Sequence, residues 1–171
     1  AGRCRPPSTF ILCLIIVSIG WMPRLFGQQI ERRIPPQGIQ LEAVDRDALN
    51  TRLAELQRSA RLVAAEQLIA DVTCLLKAVE FALRHDEFYK PTDVEKANAV
   101  LDLAAQRLQQ IEAGKPAWPT AHGLVVRGFV SKIDGSPQPY GLVIPQKMDL
   151  SKKNRLYVWL HGRGDKTTDL H

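Results

Sequence analysis

RLYVWLHGRGD, residues 155–165, is the stretch on which the reading of this chain turns. Leu156-Tyr157-Val158-Trp159-Leu160 is a run of aliphatic and aromatic residues that favour strands. It runs straight into His161-Gly162-Arg163-Gly164. The run alternates poorly between apolar and polar, which predicts a strand covered on both faces, as in a sheet packed between helices. A glycine-rich loop at the carboxyl end of such a strand is where α/β sheets place ligands. The two glycines flanking Arg163 let the backbone turn sharply and leave its N–H groups unshielded. Such groups can hold a developing oxyanion, an interaction worth ~2.7–4 kcal/mol per donor at the transition state. The plainer reading of the same residues is an ordinary turn after a strand.

Working back from this stretch, HGLVVRGFVSKI (122–133) and YGLVIP (140–145) read as two further strands around the turn DGSPQP (134–139). QKMDLSKKN (146–154) is a polar connection, and Lys152-Lys153-Asn154-Arg155 reads as a solvated turn before the third strand.

Residues 45–115 carry helical periodicity. Leu49, Leu53, Leu56, Ala60 and Val63 form one stripe, and Leu68, Val72, Leu75, Val79 and Leu83 a second. The second pattern fails at RHDEFYKP, where Pro91 blocks propagation. A third stripe follows through Val94, Ala97, Leu101, Ala104, Leu108 and Ile111. Thr92 and Glu95 are spaced as a capping box, and Gly114 stands where a C-terminal cap is expected, with Pro116 beyond it. The stripes are expected to pack on one another as a helical hairpin or small bundle.

Residues 28–44, with Pro35-Pro36 and Gly38, read as a linker. Upstream, Arg3 and Arg5 precede the apolar segment FILCLIIVSIG (10–20), which is shorter than the ~20 residues a membrane-spanning helix needs. A basic start followed by an apolar core of this length predicts a signal peptide over residues 1–27, with cleavage after Gly20 or Gly27. No stable membrane span is expected, and the location implied is secreted, or periplasmic and cell-envelope.

The 171 residues suffice for one medium domain or two small ones, and 45% apolar with 24% charged residues suits a packed globular chain. Three of the 23 basic residues and none of the 18 acids lie in the first 27 positions, so the remainder carries a net charge of only +2. That excludes a charge-based case for nucleic acid. Cys4 and Cys13 fall in the expected signal, leaving Cys74 as a small core residue, with no internal disulfide and no zinc spacing.

The order DGSPQPYGLVIP, polar connection, RLYVWLHGRGD resembles the opening of secreted α/β-hydrolases of the esterase and predicted-peptidase type, which belong with the prolyl-oligopeptidase-like serine hydrolases. Tyr140, Leu142 and Pro145 carry the resemblance in the hairpin, and His161, Gly162, Arg163 and Gly164 carry it in the loop. It covers about residues 70–171, most specifically 125–165. The helical stretch from Leu75 to Ala104 is similar to an N-terminal extension on some exported members. The resemblance implies an α/β fold: a helical N-terminal region followed, over 120–171, by the first strands of an incomplete α/β-hydrolase sheet. It further implies an ester or peptide substrate, no cofactor or metal, and an oxyanion-hole amide from 162–164, with Arg163 N–H the expected donor.

One departure decides the functional expectation. The chain contains no Gly-x-Ser-x-Gly nucleophile elbow. Ser131 and Ser136 precede the loop in or near the hairpin, His122 precedes the sheet, and His171 is terminal, so none supplies a triad member. The expectation is the N-terminal part of a serine hydrolase, without catalytic residues of its own and inactive alone. Three other readings compete: a helical interaction or scaffold module bearing a β-hairpin, an adhesion tripeptide at Arg163-Gly164-Asp165, and a metal site from His161, Asp165, Asp169 and His171.

Overall fold

The computed structural model of the chain describes Gly2, residues 36–63 and 66–160, and residues 162, 164, 168 and 170, with the backbone alone at 66 and 67. The expected signal peptide lies outside the described residues, apart from Gly2. Three helices, α1 (Ala43–Leu62), α2 (Glu66–Arg84) and α3 (Asp93–Glu112), are followed by a short 3-10 turn at Trp118–Thr120 and by two strands, β1 (Gly123–Val130) and β2 (Pro137–Ile144). The architecture is mixed α/β, three helices and then a two-stranded antiparallel sheet.

The helical stripes pack on one another as their spacing predicts. Leu49, Leu53 and Ala60 of α1, Val72, Leu75, Val79 and Leu83 of α2, and Ala97, Leu101, Ala104 and Leu108 of α3 form one core. Phe88 from the α2–α3 connection is fully buried in it, and Leu170 joins it from the C-terminal tail. Helix α2 buries more than its stripe, since Ala70, Asp71, Cys74, Leu76, Ala78 and Ala82 are buried too. It is the central helix, contacting α1 and α3 as well as both strands. Part of the expected linker also packs: Ile39 N–H donates to the Phe88 carbonyl at 2.6 Å, and Leu41 is buried.

The helix ends show which local signals operate. Gly114, at φ 66°, ends α3 in the left-handed region, and Lys115 N–H reaches back to the Gln110 carbonyl as a Schellman cap requires. Helix α2 stops at Arg84, seven residues before Pro91. There Asp86 adopts φ 53° in the glycine position of the same motif, with Glu87 N–H donating to the Ala82 carbonyl. The Arg46 guanidinium pairs with the Asp86 carboxylate and donates to the Leu83 carbonyl, closing the end of α2. The expected Thr92–Glu95 capping box does not form, because Thr92 already has helical angles and its hydroxyl caps nothing. Asp93 acts instead, accepting the N–H groups of Tyr89 (2.9 Å) and Lys90 (3.0 Å).

The two strands form as expected, with β2 beginning earlier, at Pro137. The register pairs Val126 with Gly141, Arg127 with Tyr140 and Gly128 with Pro139. The expected third strand differs. Residues 155–160 take no strand structure, and their apolar side chains stand in solvent, from Val158 at 73% exposed to Leu160 at 89%. An apolar run becomes a buried strand only with a hydrogen-bonded neighbour and covers on its faces. Among the described residues this run has neither.

Candidate functional site

The sequence points to the loop His161–Gly164. Gly162 and Gly164 are exposed and outside any regular element, while His161 and Arg163 lie outside the described residues. The adhesion tripeptide and the candidate metal ligands fall largely or wholly there too, and among the described residues no three His, Cys, Asp or Glu side chains group as a metal site. Clefts formed by described residues lie elsewhere. One, of about 580 Å³, is lined in part by Gln37, Gly38, Arg46 and Asp86. A second, of about 440 Å³, sits between α1, α2 and the start of β2, lined in part by Thr73, Leu76, Lys77 and Phe81. A third, of about 220 Å³, lies beside Arg107 and Trp118.

The most connected polar group in the described residues is Asp71, in the second turn of α2 and fully buried. Its carboxylate accepts Trp118 Nε1–H at 2.8 Å, Arg127 Nε–H at 2.9 and 3.0 Å, and Gly128 N–H at 2.6 Å. Arg107 of α3 completes the cluster. One of its terminal nitrogens donates to the Asp71 backbone carbonyl at 2.6 Å and the other to the Val126 carbonyl at 2.7 Å. Its guanidinium carbon stands 5.0 Å from the Trp118 ring centroid, a cation–π contact. Burial pushes the Arg107 pKa down, and the Asp71 charge works the other way. An arginine remains protonated throughout.

The cluster has a consequence for the sheet. Val126 C=O and Gly128 N–H both leave β1 on the side away from β2, and Arg107 and Asp71 occupy them. The outer edge of β1 is therefore capped by side chains where a third strand would bind. Gly128 makes the approach possible: a Cβ there would lie 2.0 Å from the Ala70 carbonyl oxygen and 2.9 Å from Cys74 Sγ. Cys74 is free and buried, as its apolar surroundings predict. Burial raises its thiol pKa, against an opposing pull from Arg107, so the nucleophilic thiolate is suppressed.

Chemically, Asp71 has its lone pairs engaged by three donor residues and is buried, so it holds structure rather than transferring protons to a substrate. The sequence reading missed this cluster because Asp71 falls one position before the apolar Val72 of the α2 stripe. The available signal was an acid inside LIADVTCLL and an arginine beside Leu108, two charges in stretches otherwise able to be buried.

No family model, curated protein or solved structure matches the chain. Among the described residues no helix is long and apolar enough to cross a membrane.

Proposed function

We propose that this chain is the N-terminal part of an exported serine hydrolase acting on an ester or peptide, and that it supplies the oxyanion-hole loop but not the nucleophile. The observation that carries this reading is the order of residues 123–165: an antiparallel hairpin, a polar connection, an apolar run and His161-Gly162-Arg163-Gly164. The exposed run at 156–160 supports it, since these side chains need a larger sheet and its covering helices to become buried. In this reading α1–α3 are an N-terminal extension fastened to the opening hairpin through Asp71 and Arg107, and Gly162 and Gly164 keep the amide of Arg163 accessible to a substrate oxyanion.

Two measurements test the proposal together. The reading frame that encodes the chain should continue, within the ~250 residues that a single α/β domain can require, into a Gly-x-Ser-x-Gly elbow followed by an acid and a histidine. A fluorophosphonate probe should label a serine in the longer protein and none in the 171-residue chain. Labelling of a serine within the 171 residues, or a reading frame without the elbow, overturns the assignment.

A second reading, a non-catalytic helical scaffold bearing a hairpin, is favoured by one observation: the main core is built from α1–α3 with Leu41, Phe88 and Leu170, without a strand residue. It predicts a binding partner for the helices and no hydrolase sequence downstream.

A further inference from the structure

The two edges of the hairpin are unlike. Arg107 and Asp71 cap β1 at Val126 and Gly128, which places the pairs Val126–Gly141 and Gly128–Pro139 with their backbone groups pointing away from the partner strand. On β2 the outward positions are therefore 137, 139, 141 and 143. Pro137 and Pro139 have no N–H to leave unsatisfied there, and Lys77 Nζ donates to the Pro137 carbonyl at 2.9 Å. Beyond them, the outward N–H and C=O groups of Gly141 and Val143 have no hydrogen-bond partner among the described residues. Leu124 and Val143, paired across the hairpin, expose 86% and 77% of their surface beside this edge.

The same chain holds a second unsatisfied element of matching chemistry. Leu156–Leu160 lies outside any regular element, is exposed, and is built of strand-forming residues. Residues 145–155 link it to the end of β2. We infer that this run is the occupant of the β2 edge at Gly141 and Val143 in a second copy of the chain, each copy giving Leu156–Leu160 and receiving its partner's. Apolar surface is available on both sides of the exchange: Leu156–Leu160 are 73–89% exposed and so are Leu124 and Val143 at 86% and 77%, against the ~1,200–2,000 Å² that stable interfaces bury. Each copy has one donor segment and one acceptor edge, so a reciprocal pair closes on itself. The exchange is a property of the 171-residue chain: in a longer hydrolase the same run would pair within its own sheet, so a dimer is expected of this chain and not of the longer protein.

Sedimentation equilibrium of the full chain tests it. The expected species has twice the 19.1 kDa chain mass. Trp159→Lys, at a position 86% exposed and so harmless to folding of the single copy, should weaken association at least tenfold. Gly141→Pro removes the outward N–H, where an added Cβ meets nothing within 4 Å, and should do the same. Ile133→Lys, as exposed but in the hairpin turn, should leave the dimer intact. Mixing the Trp159→Lys and Gly141→Pro chains should restore a dimer, because one sound segment then meets one sound edge. A monomeric wild-type chain, or a dimer that Trp159→Lys leaves unchanged, overturns the inference.

Discussion

The carboxylate of Asp71, in the second turn of α2, accepts the backbone N–H of Gly128 on β1 at 2.6 Å. A helix side chain thus replaces the neighbouring strand that this edge of the sheet would otherwise bind. The same carboxylate holds Arg127 and Trp118, so one buried acid joins the central helix, the strand and the turn leading into it. Asp71→Ala removes all of these bonds and leaves Arg127 and Arg107 without their buried counter-charge. The expected loss is ~3–5 kcal/mol, the scale of breaking a buried pair from one side. Trp118→Phe removes one donor only and should cost ~1–3 kcal/mol. Urea denaturation of the two variants checks the order; equal losses would mean that the indole and not the carboxylate holds the hairpin.

The closeness of helix and strand makes a second prediction. Gly128→Ala puts a methyl group 2.0 Å from the Ala70 carbonyl oxygen, so the hairpin must move off α2. It should destabilise by ~1–3 kcal/mol or more, as overpacking does. Gly141→Ala meets open space and should change stability by no more than ~0.5 kcal/mol. Thermal melts of both chains provide the measurement, and an unchanged melt for Gly128→Ala would contradict the contact.

A pH dependence follows from Asp93. Burial disfavours its charge, but the amides of Tyr89 and Lys90 and the Lys96 ammonium outweigh that cost and hold its pKa below the ordinary 3.8. A carboxylate with a depressed folded-state pKa contributes stability in full above 3.8, and loses it as pH falls through the folded value. The wild-type urea midpoint should therefore fall more steeply below about pH 4 than that of Asp93→Asn. The two should differ at pH 6 and converge in acid. Parallel profiles would show that the charge on Asp93 contributes nothing.

If residues 162–164 supply the oxyanion amide, the prediction for the whole hydrolase is specific. Gly162→Val and Gly164→Val should each lower kcat ~10²-fold or more with little change in KM, since the bond matures only in the transition state. Arg163→Ala keeps its backbone N–H and should be milder. Steady-state kinetics in which Arg163→Ala is the worst of the three, through KM, would make Arg163 a substrate-binding side chain.

By itself the sequence determined the helices, their buried stripes, the cap at Gly114 and the antiparallel hairpin. These depend on spacing and on backbone preferences of nearby residues, which a linear reading captures. It ended α2 at the right place, where RHDEFYKP begins, but for the wrong cause: not Pro91 but an aspartate, stabilised from α1 by Arg46, which does at position 86 what glycine usually does. It placed the start of α3 correctly at Thr92 but not its chemistry, because Thr92 is already helical and Asp93 reaches back to cap the preceding turn. Only the tertiary structure decided that Asp71 and Arg107 cap the edge of β1, since their partners lie 19 to 57 residues away in the chain and no periodicity encodes such a meeting. It also decided that Leu156–Leu160 stands exposed. Apolar, strand-forming residues state a preference for burial in a sheet, but a strand exists only where backbone partners and covering faces are supplied from elsewhere in the fold.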